Sequence, residues 1–109
     1  MLPTDLAQQI LDGINKSECK DSGLDLLDAV VRYSRLRVDW ALASMDARKE
    51  MDRKRTSSHN VLIDAFNILS RAMAKAGEDN SWREVLGSER GFIGDVACHM
   101  HCILGLRAR

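Results

Sequence analysis

Five consecutive residues near the end of the chain include the side-chain types that most often bind metals. Cys98, His99, Met100, His101 and Cys102 lie within the segment ACHMHCILGL. Thiolate and imidazole groups are the usual ligands of zinc, so a metal site or a redox pair is the first chemistry to consider. On a helix, Cys98 neighbours His101 and Cys102, whereas His99 and Met100 lie on other faces.

The spacing of this cluster disfavours both chemistries. A structural zinc ion needs four ligands, and the chain has no second CxxC or HxxxH pair to complete the set. The CxxxC spacing also differs from that of thioredoxin-type redox motifs. We therefore predict no metal and no cofactor, and expect the two cysteines and His101 to pack, beside Gly94 and Gly105, between layers or subunits.

A second polar group follows the predicted third helix. Asn60, Asp64, Asn67 and Arg71 recur at intervals of four, three and four residues, which places them on one helical face, opposite the apolar stripe. Two interpretations stay open: a solvated face, or a polar network that faces a pocket or another helix. The second is retained because asparagine is a poor helix former at exposed positions.

One candidate site joins this face to the last helix. Asp95 and His99 are four residues apart and can form a hydrogen bond on a helix. The predicted ligand-binding or enzymatic site, between the third and last helices, comprises His59, Asn60, Asp64, Asn67, Arg71, Asp95 and His99.

An arginine upstream of a histidine suggests a third chemistry. Small helical HEPN-type ribonucleases combine these two residue types at a helix start, and here Arg53 precedes His59 by six positions within a locally basic region. In a continuous helix the two side chains point about 120° apart, and Arg55 is the true neighbour of His59. This hypothesis predicts metal-independent RNA cleavage that depends on His59.

Hydrophobic periodicity predicts the first two helices. A first helix is expected over Asp5–Lys16 with Thr4 as its N-cap, followed by a polar loop at Ser17–Gly23. A second helix is expected to begin near Leu24, with Ser22 and Asp25 as a capping box. Its predicted buried stripe comprises Leu27, Val30, Val31, Ser34, Val38, Ala41, Leu42 and Met45.

The later elements have clearer boundaries. The third helix carries an apolar face and ends at Gly77, whereas residues 46–58 could extend the second helix or open the third. Ser81 and Glu84 predict a short helical turn near 81–86 that ends at Gly87. The last helix is expected from Ser88 or Glu89 to Leu106. The expected face of the third helix comprises Leu62, Ala65, Phe66, Leu69, Ala72, Met73 and Ala76.

These elements predict an all-α fold. We expect one helical domain over 1–109, an antiparallel bundle of about four helices plus the short turn, because proline is rare and strand-like alternation is absent. Sixteen basic and sixteen acidic residues cancel, which argues against a nonspecific nucleic-acid binder. Three cysteines without framework spacing, and no secretory or membrane-spanning segment, predict a cytoplasmic protein with no membrane partner.

The second half of the chain resembles a family of small uncharacterised bacterial helical proteins. The similarity rests on the runs RTSSHNVLIDAFNILSRAM and GFIGDVA. It implies an all-helical fold and brings no known activity. The matching positions are Arg55, His59, Leu62, Ile63, Asn67, Arg71, Ile93, Gly94 and Asp95.

The sequence therefore favours a non-enzymatic interaction or accessory protein that acts through helix packing as a homodimer. Apolar residues on several faces, including Trp40, Ile63 and Ile68, motivate the dimer. The site between the third and last helices and the ribonuclease hypothesis remain the alternatives.

Overall fold

The computed structural model describes residues 2–107 and consists of helices joined by short connections. The all-α prediction is confirmed, and the short turn near 81–86 is present as a helix of its own. The five helices are α1 (Pro3–Lys16), α2 (Lys20–Leu42), α3 (Met45–Lys75), α4 (Trp82–Leu86) and α5 (Arg90–Arg107).

The long helices form two pairs. α2 and α3 make an extended antiparallel hairpin, and α5 packs on both α1 and α2. α1 and α5 run in the same direction: Thr4 contacts His99 near their starts, and Asp12 pairs with Arg107 further along both helices. The short α4 lies against α1 and α3. This arrangement brings the start of α5 beside the middle of the hairpin.

The first two helices begin earlier than predicted. Pro3 opens α1 at a position where its missing N–H costs nothing. α2 begins at Lys20, so the loop is confined to Ser17–Cys19 and is shorter than the predicted Ser17–Gly23, and the predicted Ser22–Asp25 capping box is wrong. Gly23 lies inside α2, where an added Cβ would meet Ile14 at 2.7 Å. The glycine thus permits the close crossing of α1 and α2 that ends the loop early.

The break between α2 and α3 lies at Ala43 and Ser44. The Ser44 side chain accepts a hydrogen bond from the Ala47 backbone N–H at 3.2 Å, which caps α3. The charged segment therefore opens the third helix rather than extending the second. α3 continues through Thr56–Asn60 without interruption, because tertiary contacts outweigh the weak helix propensity of that stretch.

Both predicted glycine stops are present. Gly77 has φ of +73°, and the Glu78 N–H bonds the Met73 carbonyl at 2.8 Å, which is a Schellman ending. Gly87 ends α4 with φ of +67°. The predicted Ser81–Glu84 capping box is wrong, because Ser81 makes no side-chain cap at the start of α4. At the start of α5, the Glu89 carboxylate accepts from two backbone N–H groups.

The core is an apolar layer where α1, α4 and α5 meet the hairpin. On α3 the predicted face is buried except for Ala72 and Ala76. On α2 the predicted stripe is wrong beyond Ser34: Val38, Leu42 and Met45 are exposed, and Tyr33 is buried instead. The largest fully buried side chains are Trp82, Phe66, Leu6, Ile10, Leu26, Leu62, Leu69, Met73, Leu86, Ile93, Met100 and Val30.

Between residues 2 and 107, no helix combines the length and the apolar character that a bilayer span requires.

Candidate functional site

A small basic cavity lies where the hairpin meets the start of α5. Its volume is about 270 Å³, near the lower limit for small-ligand sites. We call it the His59 pocket. It is lined by Tyr33 and Arg37 of α2, by Asp52, Arg55, Thr56 and His59 of α3, and by Arg90 and Gly91 of α5.

His59 forms one wall of the pocket and is itself buried, with 7% of its surface exposed. Its Nε2 lies 3.0 Å from the Arg90 carbonyl oxygen. Because a carbonyl only accepts hydrogen bonds, Nε2–H is the donor, and in the neutral ring Nδ1 is a bare acceptor. Nδ1 is buried and has no partner among residues 2–107. The Tyr33 ring packs edge-on against the imidazole, with centroids 5.4 Å apart.

Arg37 is fixed by α5. One guanidinium nitrogen donates to the Asp95 carboxylate at 2.8 Å and the other approaches the Cys98 sulfur at 3.5 Å. The hydrogen bond to Asp95 raises the pKa of Arg37, so the guanidinium stays charged. Gly94 makes this approach possible, since an added Cβ would lie 3.2 Å from Arg37 Nη1 and would clash with the Tyr33 hydroxyl.

The other two arginines are also held by neighbours. The Arg55 guanidinium lies 4.3 Å above the Trp40 ring, a cation–π contact. Trp40 in turn donates to Asp52 at 3.2 Å. Arg90 donates to the Asn60 side chain at 3.0 Å. Arg55 and Arg90 are thus each positioned by one contact, and within residues 2–107 most of the five N–H donors of each guanidinium stay open.

The charges in the pocket favour an anion. Three arginines line it against a single carboxylate, Asp52, and Asp95 offsets Arg37 from outside the lining. An excess of positive charge therefore remains in a concave, partly desolvated place. Guanidinium groups match the geometry of phosphate and carboxylate oxygens.

The predicted site residues divide into two groups. His59 lines the pocket, and Asn60 and Asp95 each bind one of its arginines. The remaining four lie outside it. Asn67 accepts from Arg83 at 2.7 Å, His99 contacts Thr4 at 3.3 Å, and Asp64 and Arg71 are exposed.

The one expected pairing is replaced by contacts with other helices. Asp95 binds Arg37, and His99 lies against α1, so the predicted Asp95–His99 hydrogen bond is not formed within the described residues. Asp95 is thus bound by a residue of α2 and not by its neighbour within α5. The polar face of α3 also divides, because Asn60 turns toward α5 while Asn67 turns toward α4.

Sequence reasoning missed most of the pocket lining. The predicted site residues do not include Tyr33, Arg37, Asp52, Thr56 or Arg90. A signal existed, because residues 52, 55, 56 and 59 follow the i, i+3, i+4, i+7 spacing of one helix face. It could be used only once the start of α3 was known.

The arginine of the ribonuclease hypothesis lies elsewhere. Arg53 lines a separate cavity on the opposite side of the hairpin. In the continuous helix Arg53 and His59 face different cavities, and Arg55 is the arginine beside His59. We call the separate cavity the outer groove; its lining includes Arg32, Arg35, Leu36, Arg53, Lys54 and Val61.

The cysteine–histidine cluster is not concentrated in one place. Cys98 and His101 are half-buried, whereas Cys102 is exposed and Gly105 has no atom of another residue near it. The predicted close packing therefore holds at Gly94 alone. Among residues 2–107 no three His, Cys, Asp or Glu side chains lie close enough together to hold a metal ion.

Comparisons with known proteins found no relatives. No protein-family model, curated protein or solved structure matches this chain. The resemblance to bacterial helical proteins thus stays a prediction, and any function has to be argued from the geometry of the pocket.

Proposed function

We propose that this protein binds a compact, doubly charged oxyanion, such as phosphate or a phosphate monoester, in the His59 pocket. The observation that carries the proposal is the convergence of Arg37, Arg55 and Arg90, from three different helices, on one cavity of about 270 Å³. Like charges repel one another, so three guanidinium groups around so small a space favour a site that a counter-charge completes.

The ligand would be held by side chains. The Gly91 and Phe92 N–H groups at the start of α5 already donate to the Glu89 carboxylate, at 2.8 and 2.6 Å. The helix terminus is therefore occupied, and the arginines provide the donors. Thr56, exposed on the pocket wall, adds a hydroxyl.

Binding is favoured over catalysis. A general base must lie within hydrogen-bond reach of the proton it removes. The Nδ1 atom of His59 is buried, and Nε2 is engaged by the Arg90 carbonyl. Neither nitrogen is presented to the cavity as an accessible base, so His59 contributes to the shape of the pocket and does not act as a proton acceptor for a bound ligand.

Calorimetric titration tests this proposal. Inorganic phosphate and glycerol phosphate should both bind saturably, whereas glycerol and chloride should not. Arg55→Gln and Arg90→Gln should each weaken binding roughly tenfold or more, since each removes a charge-assisted contact. Arg53→Gln is the matched control on α3, because Arg53 lines the outer groove.

Two results contradict the proposal. One is the absence of saturable phosphate binding at roughly millimolar concentration. The other is equal weakening by Arg53→Gln and Arg55→Gln, which would indicate general charge attraction instead of a site. A succinate titration separates phosphate recognition from recognition of dicarboxylates.

A further inference from the structure

The outer groove continues along the hairpin into a second cavity. The two cavities have volumes of about 640 and 310 Å³ and share Ala29, Arg32 and Val61 in their linings. They therefore form one surface along α2 and α3, on the side of the hairpin away from the His59 pocket, with which it shares no lining residue.

The two ends of this surface carry opposite charge. Arg35, Arg53 and Lys54 line one end, with Asp39 as the opposing charge. Asp25 and Asp64 line the other. Along α3, Arg53 and Asp64 are separated by roughly 16 Å at the rise of a helix. In the middle, Asp28 and Arg32 pair at 3.1 Å.

The floor between these ends is apolar and partly exposed. Val61, between the ends, is 54% exposed, and Ile68, within the acidic end, is 49% exposed. Ala29 and Ala65 line the same cavity and are buried. Leu36 is half-buried at the basic end.

We infer that a second copy of this chain docks antiparallel across the outer groove, with a twofold axis near Val61. A twofold axis places the basic end of each copy on the acidic end of the other. It also covers both copies of Val61 and Ile68. Self-association is favoured over a nucleic acid, which the acidic end repels, and over a uniformly charged protein, which matches one end only.

Light scattering and analytical ultracentrifugation of the full chain give the first test. The wild type should be a dimer at about 100 µM and should dissociate as salt rises, because the end contacts are ionic. Val61→Asp puts two carboxylates beside the axis and should produce a monomer. Val85→Asp is the matched control, since Val85 is 47% exposed on α4, away from the groove.

Charge reversal tests the antiparallel arrangement itself. One variant carries Asp25→Lys and Asp64→Lys, and a second carries Arg53→Glu and Lys54→Glu. Each should be monomeric alone, because like charges then meet at both ends. Mixed together, they should form a heterodimer, since both junctions are attractive again. Lys16→Glu, at an exposed position of α1 outside the groove, should leave the dimer intact.

Three outcomes overturn the inference. The first is a monomeric wild type at this concentration. The second is a dimer that survives Val61→Asp and both reversals, because it must then use another face. The third is failure of the two reversed chains to pair while each remains folded by circular dichroism. None of these results depends on phosphate binding in the His59 pocket.

Discussion

The base and the tip of the α2–α3 hairpin are built differently. The base, residues 20–34 and 59–75, contributes a continuous row of buried side chains to the core. The tip, residues 35–58, contains no fully buried side chain. The tip makes the molecule long: α3 alone spans about 46 Å, and the longest extent of the fold is 47 Å.

Polar and cation–π contacts hold the tip in place of a core. Trp40 lies between the guanidinium groups of Arg48 and Arg55, each 4.3 Å from the ring. Arg48 also donates to the carbonyls of Trp40 and Ala41, both at 2.9 Å, and so closes the end of α2. Both proposed binding surfaces include the junction of base and tip. There the side chains leave the core, so core packing no longer requires them to be apolar.

The largest predicted effect on the free energy of unfolding comes from shortening a core side chain at the base. Phe66→Ala should lower the free energy of unfolding by about 3–5 kcal/mol, because it leaves a cavity beside Trp82. Met51→Ala, in the half-buried tip, should change it by only about 0.5 kcal/mol. Urea unfolding followed by circular dichroism measures both. Similar losses for the two variants would mean that the tip is packed as tightly as the base.

A second prediction concerns the contact between α2 and α5. Gly94→Ala should cost about 1–3 kcal/mol, because the new methyl group meets the Tyr33 ring, 3.1 Å from Cζ. Gly105→Ala in the same helix is the control. A Cβ added at Gly105 would meet no other part of the described chain within 4 Å, so this variant should be neutral or stabilise by a few tenths of a kcal/mol. A neutral Gly94→Ala variant would show that the two helices separate easily.

The third prediction is a local effect at the tip. Trp40→Ala removes both cation–π contacts and should cost about 1 kcal/mol. Most of the change should appear as faster amide exchange in residues 36–52, with the base still protected. Trp40→Phe keeps an aromatic ring and should exchange at an intermediate rate. Uniform acceleration across α1 and α5 would instead link the tip to the core.

The smallest expected effect is a pH dependence at the junction. Burial raises the pKa of Tyr33 above its ordinary value of 10.0. The unfolded chain therefore loses the Tyr33 proton at a lower pH than the folded protein does. The contribution of this group to the free energy of unfolding is complete below pH 10 and declines as the pH rises further. Tyr33 is the single tyrosine of the chain, so ultraviolet titration reports it alone. A midpoint at or below 10 in the folded protein would contradict this burial.

The sequence predicted the helices well because their signals are local. The glycine stops at Gly77 and Gly87 and the apolar face of α3 depend on neighbours within a few residues. The buried stripe predicted on α2 is wrong beyond Ser34, and the reason is physical. Periodicity identifies residues that share a face, but whether Val38 and Leu42 are buried depends on a partner that the rest of the described chain does not provide.

The candidate site was predicted in part. His59, Asn60 and Asp95 were identified because each lies on a helix whose position was clear. Arg37 and Arg90 could not be added, since their meeting depends on how α2, α3 and α5 cross. For the same reason the local pairing of Asp95 with His99 was expected, and the contact of Asp95 with Arg37, 58 positions away, was not.

The parallel pairing of α1 and α5 has a consequence for how the chain folds. α1 buries Leu6, Ala7, Ile10, Leu11 and Ile14, mainly against a helix about 95 positions later. The α2–α3 hairpin is formed by contacts between neighbouring helices and can form early, whereas α1 cannot bury its apolar face until α5 is available. By bringing those distant segments close, the hairpin shortens the loop that this pairing closes and so lowers its entropic cost.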